Sequence, residues 1–424
     1  MPYKSFSTTV AGISHTKHGK GCEDHSLHYP DYSVKSAPLA LAVVADGHGD
    51  DNCFRSARGA KFAASAARDA IIKFEDWLRP RLLQIMKRKV FEEYIHNLVN
   101  HIIKEWRGKV KLDYTGNPVT GEELFHVGEK YQKRYAAGQD LHHAYGTTLI
   151  ATAITKDYWF GIHIGDGRFT VLYPDGTFDQ PVSWDERCYL NVTTSICDDD
   201  AAKSARVYAL ASEKLPAAVF LCSDGVDDNY PVEENEKYLY KLYRTVALTF
   251  AEDGFDSTCG QLKDLANSFA TKGKGDDTSI AGIIDMEAVK NIAPILRKQA
   301  EADDQKAAAE KADKAEAVRL AAEKAAAEKV AKAEAARIAT EKAEADKAAS
   351  AAEAALREKE AKLVAEKAAA EKAAAEKANA AEDAVVIQAY EKQTAPAQHS
   401  DDLNAYGEFE HSKKIDIIIE DKNP

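Results

Sequence analysis

Residues 39–49 read LALAVVADGHG. The first seven are apolar without a break, which reads as a buried β-strand bounded by a turn. The Asp46-Gly47 pair that follows supplies the turn, because glycine accepts positive φ and aspartate caps its own backbone. The same phrase recurs along the chain. Residues 158–164 run into Gly165-Asp166-Gly167, with 169–173 expected as the hairpin partner. Residues 217–222 run into Ser223-Asp224-Gly225, and 278–284 follow Asp276-Asp277. Helical patterns fall between, at 53–74, 81–106, 236–250 and 258–270. This order is neither all-β nor a regular βαβ alternation. It predicts an α+β domain in which helices flank a central antiparallel β-sandwich, a four-layer arrangement.

A single Asp-Gly after a strand is commonly only a turn, and Asp175-Gly176 within YPDGTF is read that way. Repetition changes the reading. Glu23-Asp24, Asp46-Gly47, Asp166, Asp224 and Asp276-Asp277 all border apolar strands or turns, and strand ends of one sheet can bring distant positions together. Carboxylates crowded at one sheet end raise one another's pKa unless a cation neutralises them. The six cysteines form no CxxC pair, so zinc and thiol-redox chemistry have little support. Hard oxygen ligands point instead to Mg²⁺ or Mn²⁺. Two such ions ~4 Å apart would activate a shared water near neutral pH. That chemistry suits in-line attack on a phosphate ester.

Five motifs then stand in a recognisable order: Asp46-Gly47-His48-Gly49, Gly146-Thr147-Thr148-Leu149, Gly165-Asp166-Gly167-Arg168, Ser223-Asp224-Gly225 and Asp276-Asp277-Thr278-Ser279, with Cys22-Glu23-Asp24 upstream. Together they resemble metal-dependent protein serine/threonine phosphatases of the type 2C family, bacterial-type members included, over residues 8–285. The resemblance implies a two-ion site, of Mn²⁺ or Mg²⁺, at one edge of the sandwich. Asp46 would bridge both ions and the Gly47 carbonyl would bind one. Asp224 and Asp276 would complete the other shell, with Glu23 and Asp24 acting largely through water. Asp166 resembles the residue that helps hold a third, weaker ion. His48 resembles the general acid that protonates the leaving oxygen, favoured by its place after the bridging aspartate; an ordinary histidine pKa of about 6.5 allows the protonated form, and an acidic surround would raise its occupancy. Where the family often carries a phosphate-gripping arginine stands Gly19; Lys17 and Lys20 beside it are the candidate replacements. Arg168 reads as structural, His142 and His143 as ordinary histidines, and Asp277 as added charge outside the direct ligands. Residues 107–145 read as a polar surface excursion.

The rest of the chain bounds the partners. Its 424 residues carry a formal charge of −13. Residues 286–424 hold 23 basic and 29 acidic side chains, so there is no hidden basic half. A nucleic-acid partner is therefore disfavoured. The absence of an apolar run near ~20 residues, and of a signal-like N-terminus, predicts a cytoplasmic chain with no membrane segment. Residues 286–298 are read as a linker. From about 299 to 390 the sequence is alanine, glutamate and lysine in quasi-repeats. Its composition predicts one long charged helix or weak coiled coil, because large apolar residues keep no steady heptad. Residues 391–424 read as a flexible tail whose Ile415, Ile417, Ile418 and Ile419 could add a strand to a sheet edge. The expected function is hydrolysis of phosphoserine and phosphothreonine in phosphoproteins, with a protein partner for the helix or the C-terminal segment. The competing reading is a catalytically silent binding module or scaffold acting through the helical tail.

Overall fold

A computed structural model of the chain describes residues 2–31, 37–85, 88–189, 192–211 and 214–382. The chain divides into two compact units, 1–315 and 316–424. Among the described residues the first unit holds ten strands in two five-stranded sheets. One sheet has the order β1 (Tyr3–Val10), β10 (Thr278–Asp285), β9 (Ala218–Cys222), β6 (Arg168–Leu172) and β7 (Phe178–Asp179). The other has β2 (His25–Tyr29), β3 (Ala40–Ala45), β4 (Leu149–Ile154), β5 (Tyr158–Ile164) and β8 (Arg206–Ala211). All pairings are antiparallel.

The unbroken apolar run at 39–45 has a direct cause. Successive side chains of a strand point to opposite faces. Ala40, Ala42 and Val44 face the other sheet and pack with Ile150, Trp159, Val219 and Ile283. Leu39, Leu41, Val43 and Ala45 face outward, beneath the helices Ser56–Leu78 and Arg88–Gly116. Both faces are dry, so no polar alternation survives. The first of these helices presents Ala60, Ala63, Ala64, Ala67 and Ala70 fully buried, small side chains that let it lie close on the strands. On the opposite sheet Phe220, Cys222, Ile280 and Ile284 meet the helices Asn235–Asp253 and Phe255–Lys272 and the first turns of the helix Met286–Glu382. The result is helix, sheet, sheet, helix: the four-layer α+β fold expected from the sequence.

Several local expectations change. Residues 168–172 do not form a hairpin with β5. The turn at Gly165-Asp166-Gly167 carries the chain from one sheet to the other, and β6 pairs with β9 and β7. Residues 286–298 are not a linker. The helix starts directly at Met286, and Val289, Ile292, Ala293 and Leu296 are buried against the sheet-covering helices. The supposed excursion at 107–145 opens with three further turns of helix and then folds back through Glu129–Ala136. It is fastened by Arg55, whose buried guanidinium donates to Glu123 Oε1 (2.8 Å), the Asn117 carbonyl (2.8 Å) and Tyr145 Oη (2.6 Å).

In the second unit the long helix continues to Glu382. Val318, Leu320, Val330, Ile338, Leu356, Leu363 and Val364 are all exposed there. Ion pairs one turn apart line its surface, among them Glu328–Lys332 (2.6 Å), Glu353–Arg357 (2.8 Å) and Glu358–Lys362 (3.0 Å). Each such pair adds a few tenths of a kcal/mol to a helix. The expected end near residue 390 and the isoleucine segment at 415–419 lie outside the described residues. No helix among the described residues is long and apolar enough to cross a membrane.

Phe220 joins the sheet to its helical cover. It is fully buried and stacks on Tyr243, ring centroids 4.5 Å apart, with Phe6 on its other side at 6.3 Å. Phe220→Ala should therefore lower stability by about 3–5 kcal/mol, read as a fall in the urea midpoint of the phosphatase-like unit. A midpoint within error of the parent would contradict this packing.

Candidate metal centre

Antiparallel register gathers the acidic turns at one end of the sandwich. His25 lies opposite Ala45, so Asp24 and Asp46 flank that pair. Cys222 lies opposite Ile280, which brings Asp224 beside the start of β10 and Asp276-Asp277. Ile164 lies opposite Leu149, and Val44 opposite Ile150, which carries Asp166 to the same end. Gly225 makes the closest approach: a Cβ there would sit 2.0 Å from the Asp277 carbonyl oxygen. Only glycine lets the Asp224 turn and the Asp276-Asp277 turn touch.

The backbone under Asp46 is held firmly. Its N–H donates to Thr148 Oγ1 (3.0 Å), and its carbonyl accepts from the Thr148 N–H and the Thr147 hydroxyl (2.8 Å each). Gly47 pairs with Thr147, and the His48 N–H donates to the Gly146 carbonyl (3.2 Å). The Gly-Thr-Thr motif therefore acts as a splint for the Asp-Gly-His motif. A second splint is Arg168, which donates from Nε to Asp227 (2.6 Å) and lies over the Trp184 ring at 3.8 Å. It secures the short helix Asp224–Asp227, the structural role expected of it.

The Asp46 side chain touches Asp224 on one side and Asp24 on the other. Burial pushes Asp46 well above the carboxylate range, and the charges of Asp224 and Asp24 add to the shift. Asp224 is raised well above its ordinary value by burial and then by Asp166. Desolvation raises Asp166 and Glu23 as well, and pushes Asp24 up to about 7. Both oxygens of Asp24 and Glu23 Oε2 are buried without a well-formed hydrogen bond. Buried anionic oxygens normally have a partner. An all-oxygen donor set with unpartnered oxygens fits Mg²⁺ or Mn²⁺.

Asp276 is half-exposed at the rim, yet its charge reaches Asp224. Asp277 has a different task. It accepts from the N–H groups of Gly12 (2.7 Å) and Glu23 (2.6 Å) and from His15 Nδ1 (3.0 Å), so its charge is used to position the Glu23 segment. His15 was not legible as a site residue. It also approaches Asp276 at 3.4 Å and Glu23 at 3.8 Å, through a fold-level contact that no local motif announces.

Lys20 reaches the Gly49 carbonyl (3.1 Å) and its charge acts on Glu23, which places it at the rim. Lys17 is exposed at the end of the short helix Ile13–Lys17. Gly19 has φ +70°, a conformation that disfavours any side chain, arginine included. His48 departs from expectation. It is half-buried, and desolvation pushes its imidazole down to about 4 against the opposing pull of Asp50. Burial outweighs the neighbouring negative charge.

These shifts carry a sign. A carboxyl whose folded pKa is raised holds a proton that the unfolded chain releases, so folding weakens as pH rises from about 4 to the folded pKa. For Asp24 that window ends near pH 7. In EDTA the Tm of this protein should fall between pH 5 and pH 8, and Mn²⁺ or Mg²⁺ should raise it more at pH 8 than at pH 5. A metal increment independent of pH would speak against a cation among these carboxylates.

The chain is similar to a C. elegans sex determining protein (16% identity, TM-score 0.42, 68% of this chain and 67% of that one). It is similar also to the serine/threonine phosphatase Stp1 from Staphylococcus aureus (16% identity, TM-score 0.39, 66% and 94%). A third similar structure is the catalytic domain of the serine threonine protein phosphatase PstP, solved in complex with 2 manganese ions (14% identity, TM-score 0.35, 66% and 97%). No curated protein matches the chain. The family model described as protein phosphatase 2C matches residues 11–264, more than half of the sequence and every one of the acidic turns but the last. The chain belongs to the protein phosphatase 2C family.

Proposed function

We propose that this protein hydrolyses phosphoserine and phosphothreonine in protein substrates, with two divalent ions, Mn²⁺ or Mg²⁺, held by the carboxylate cluster. The observation that carries the reading is Asp46, whose side chain meets both Asp24 and Asp224, with all three carboxyls raised first by burial. Asp46, the Gly47 carbonyl, Asp224 and Asp276 would hold the ions, Glu23 and Asp24 would act largely through water, and Asp166 would help hold a third, weaker ion. When bound, the ions supply charge neutralisation for the phosphate and lower the pKa of a water for in-line attack on phosphorus.

The protein groups do the rest. The Thr147–Thr148 splint fixes the direction of Asp46 and His48, so little reorganisation accompanies substrate entry. Lys20, at the rim beside Gly49, offers a point charge to the incoming phosphate in place of an arginine fork. His48 donates a proton to the leaving seryl or threonyl oxygen. Burial lowers the imidazole pKa, and the negative charge of a bound phosphate would favour the protonated form. The silent-module alternative rests on the glycine at position 19 alone, and the retained carboxylates weigh against it.

Asp46→Asn should reduce Mn²⁺-dependent release of phosphate from a phosphothreonine peptide by about 100-fold or more, with an unchanged far-UV circular dichroism spectrum. Unchanged turnover would remove Asp46 from the centre. For His48→Ala we expect a loss of about 100-fold on the same peptide and a much smaller loss on p-nitrophenyl phosphate, whose leaving group needs no proton. Equal losses on the two substrates would end the acid role while leaving the metal ligands in place.

A further inference from the structure

Two histidines that carry no signal in the sequence meet an aspartate in the fold. His142 and His143 lie in the helical turn Leu141–Tyr145, and Asp199 lies more than fifty residues later, in the turn that precedes Ala201–Ser204. Each offers a ligand atom, and the three atoms lie within 4.8 Å of one another. We propose that His142, His143 and Asp199 form a second metal site, separate from the carboxylate cluster and selective for a zinc-class transition ion.

The donor chemistry makes the selection. Two imidazoles and one carboxylate suit zinc and its first-row neighbours, whereas Mg²⁺ prefers oxygen alone. Tetrahedral zinc at ~2.0–2.1 Å from each donor leaves a fourth position for water. His142 Nε2 is buried without a hydrogen-bond partner, a polar atom with an unfilled requirement. The two rings are already side by side, with centroids 4.3 Å apart. Asp199 is exposed, so its carboxylate can close the remaining gap by rotation.

The two segments that supply the ligands are joined before any ion arrives. The Thr147 N–H donates to Ser195 Oγ (3.2 Å), and the Ile196 N–H donates to the Thr147 carbonyl (3.0 Å). Ser195 N–H donates to Asp198 Oδ2 (2.8 Å), shaping the turn that presents Asp199. This preorganisation limits the entropy lost on binding. The site also abuts the splint of the first centre. The Gly146 N–H donates to the His143 carbonyl (3.0 Å), and the Gly146 carbonyl accepts from the His48 N–H. An ion here clamps the segment that holds His48.

The test is a zinc titration of the full chain against a competing chromophoric chelator, with Mg²⁺ in excess to occupy the carboxylate cluster. The parent protein should bind one zinc under these conditions. His143→Ala and Asp199→Asn should each weaken it by about 10- to 100-fold while keeping Mg²⁺-dependent phosphatase activity, which shows that the variants are folded. Co²⁺ in place of zinc should give visible absorption of tetrahedral type in the parent, lost in both variants. Equal zinc affinity in parent and variants overturns the proposal. So does a zinc site that disappears in Asp46→Asn and survives in His143→Ala, because the ion would then belong to the carboxylate cluster.

Discussion

Carboxylates packed side by side away from bulk water repel one another, and this repulsion is the constraint around which the first unit is arranged. The pairing register brings Asp24, Asp46, Asp166 and Asp224 to one end of the sandwich. Burial raises the pKa of all four, and neighbouring negative charges add to the shift. The fold can hold them there because the strain falls on strand ends whose interiors are fully buried on both faces. Phe220, Val219 and Leu41 fix the strands, and the turns follow. Local devices then keep each turn in place. Thr147 and Thr148 grip Asp46, Arg168 grips the Asp224 helix through Asp227, and Asp277 grips Glu23.

The parts of this arrangement that the sequence exposes are those set by local physics. Strands β3, β5, β9 and β10 are visible because covering both faces demands apolar runs, and each run borders an acidic turn. The acidic residues stand out for the same reason, since a charge at the end of a dry strand is unusual. The polar strands are harder to see. In β1 (YKSFSTTV) and β2 (HSLHY) much of the side-chain surface is only half-buried, so their composition resembles that of a loop. The hairpin expected at 169–173 failed because a glycine-rich turn looks alike whether it returns to its own sheet or crosses to another. Residues 286–298 passed for a linker because Pro294 reads as a helix boundary, whereas the helix runs through it; the burial of Val289 and Leu296 depends on a surface made by distant helices. His15, and the meeting of His142 and His143 with Asp199, are products of tertiary contact alone.

The His48 shift shows how two local effects with opposite signs are resolved. Negative neighbours favour an imidazolium, and burial disfavours it. Burial prevails in this pocket, with Asp50 the opposing charge. Composition around a histidine therefore predicts the direction of one effect, and the depth of the pocket decides which effect wins. The second unit presents the opposite regime. Its helix exposes its few large apolar residues, and its order comes from alanine propensity and from ion pairs spaced a turn apart.

The pairing of β1 with β10 fixes one further property. Tyr3 stands opposite Asp285, whereas Val10 stands opposite Thr278, next to the acidic turns. The chain thus enters and leaves the sandwich at adjacent points, Tyr3 and Asp285, at the end of the sheet opposite the acidic turns. The junction between the last strand and the helix that follows it is therefore built away from the carboxylate cluster.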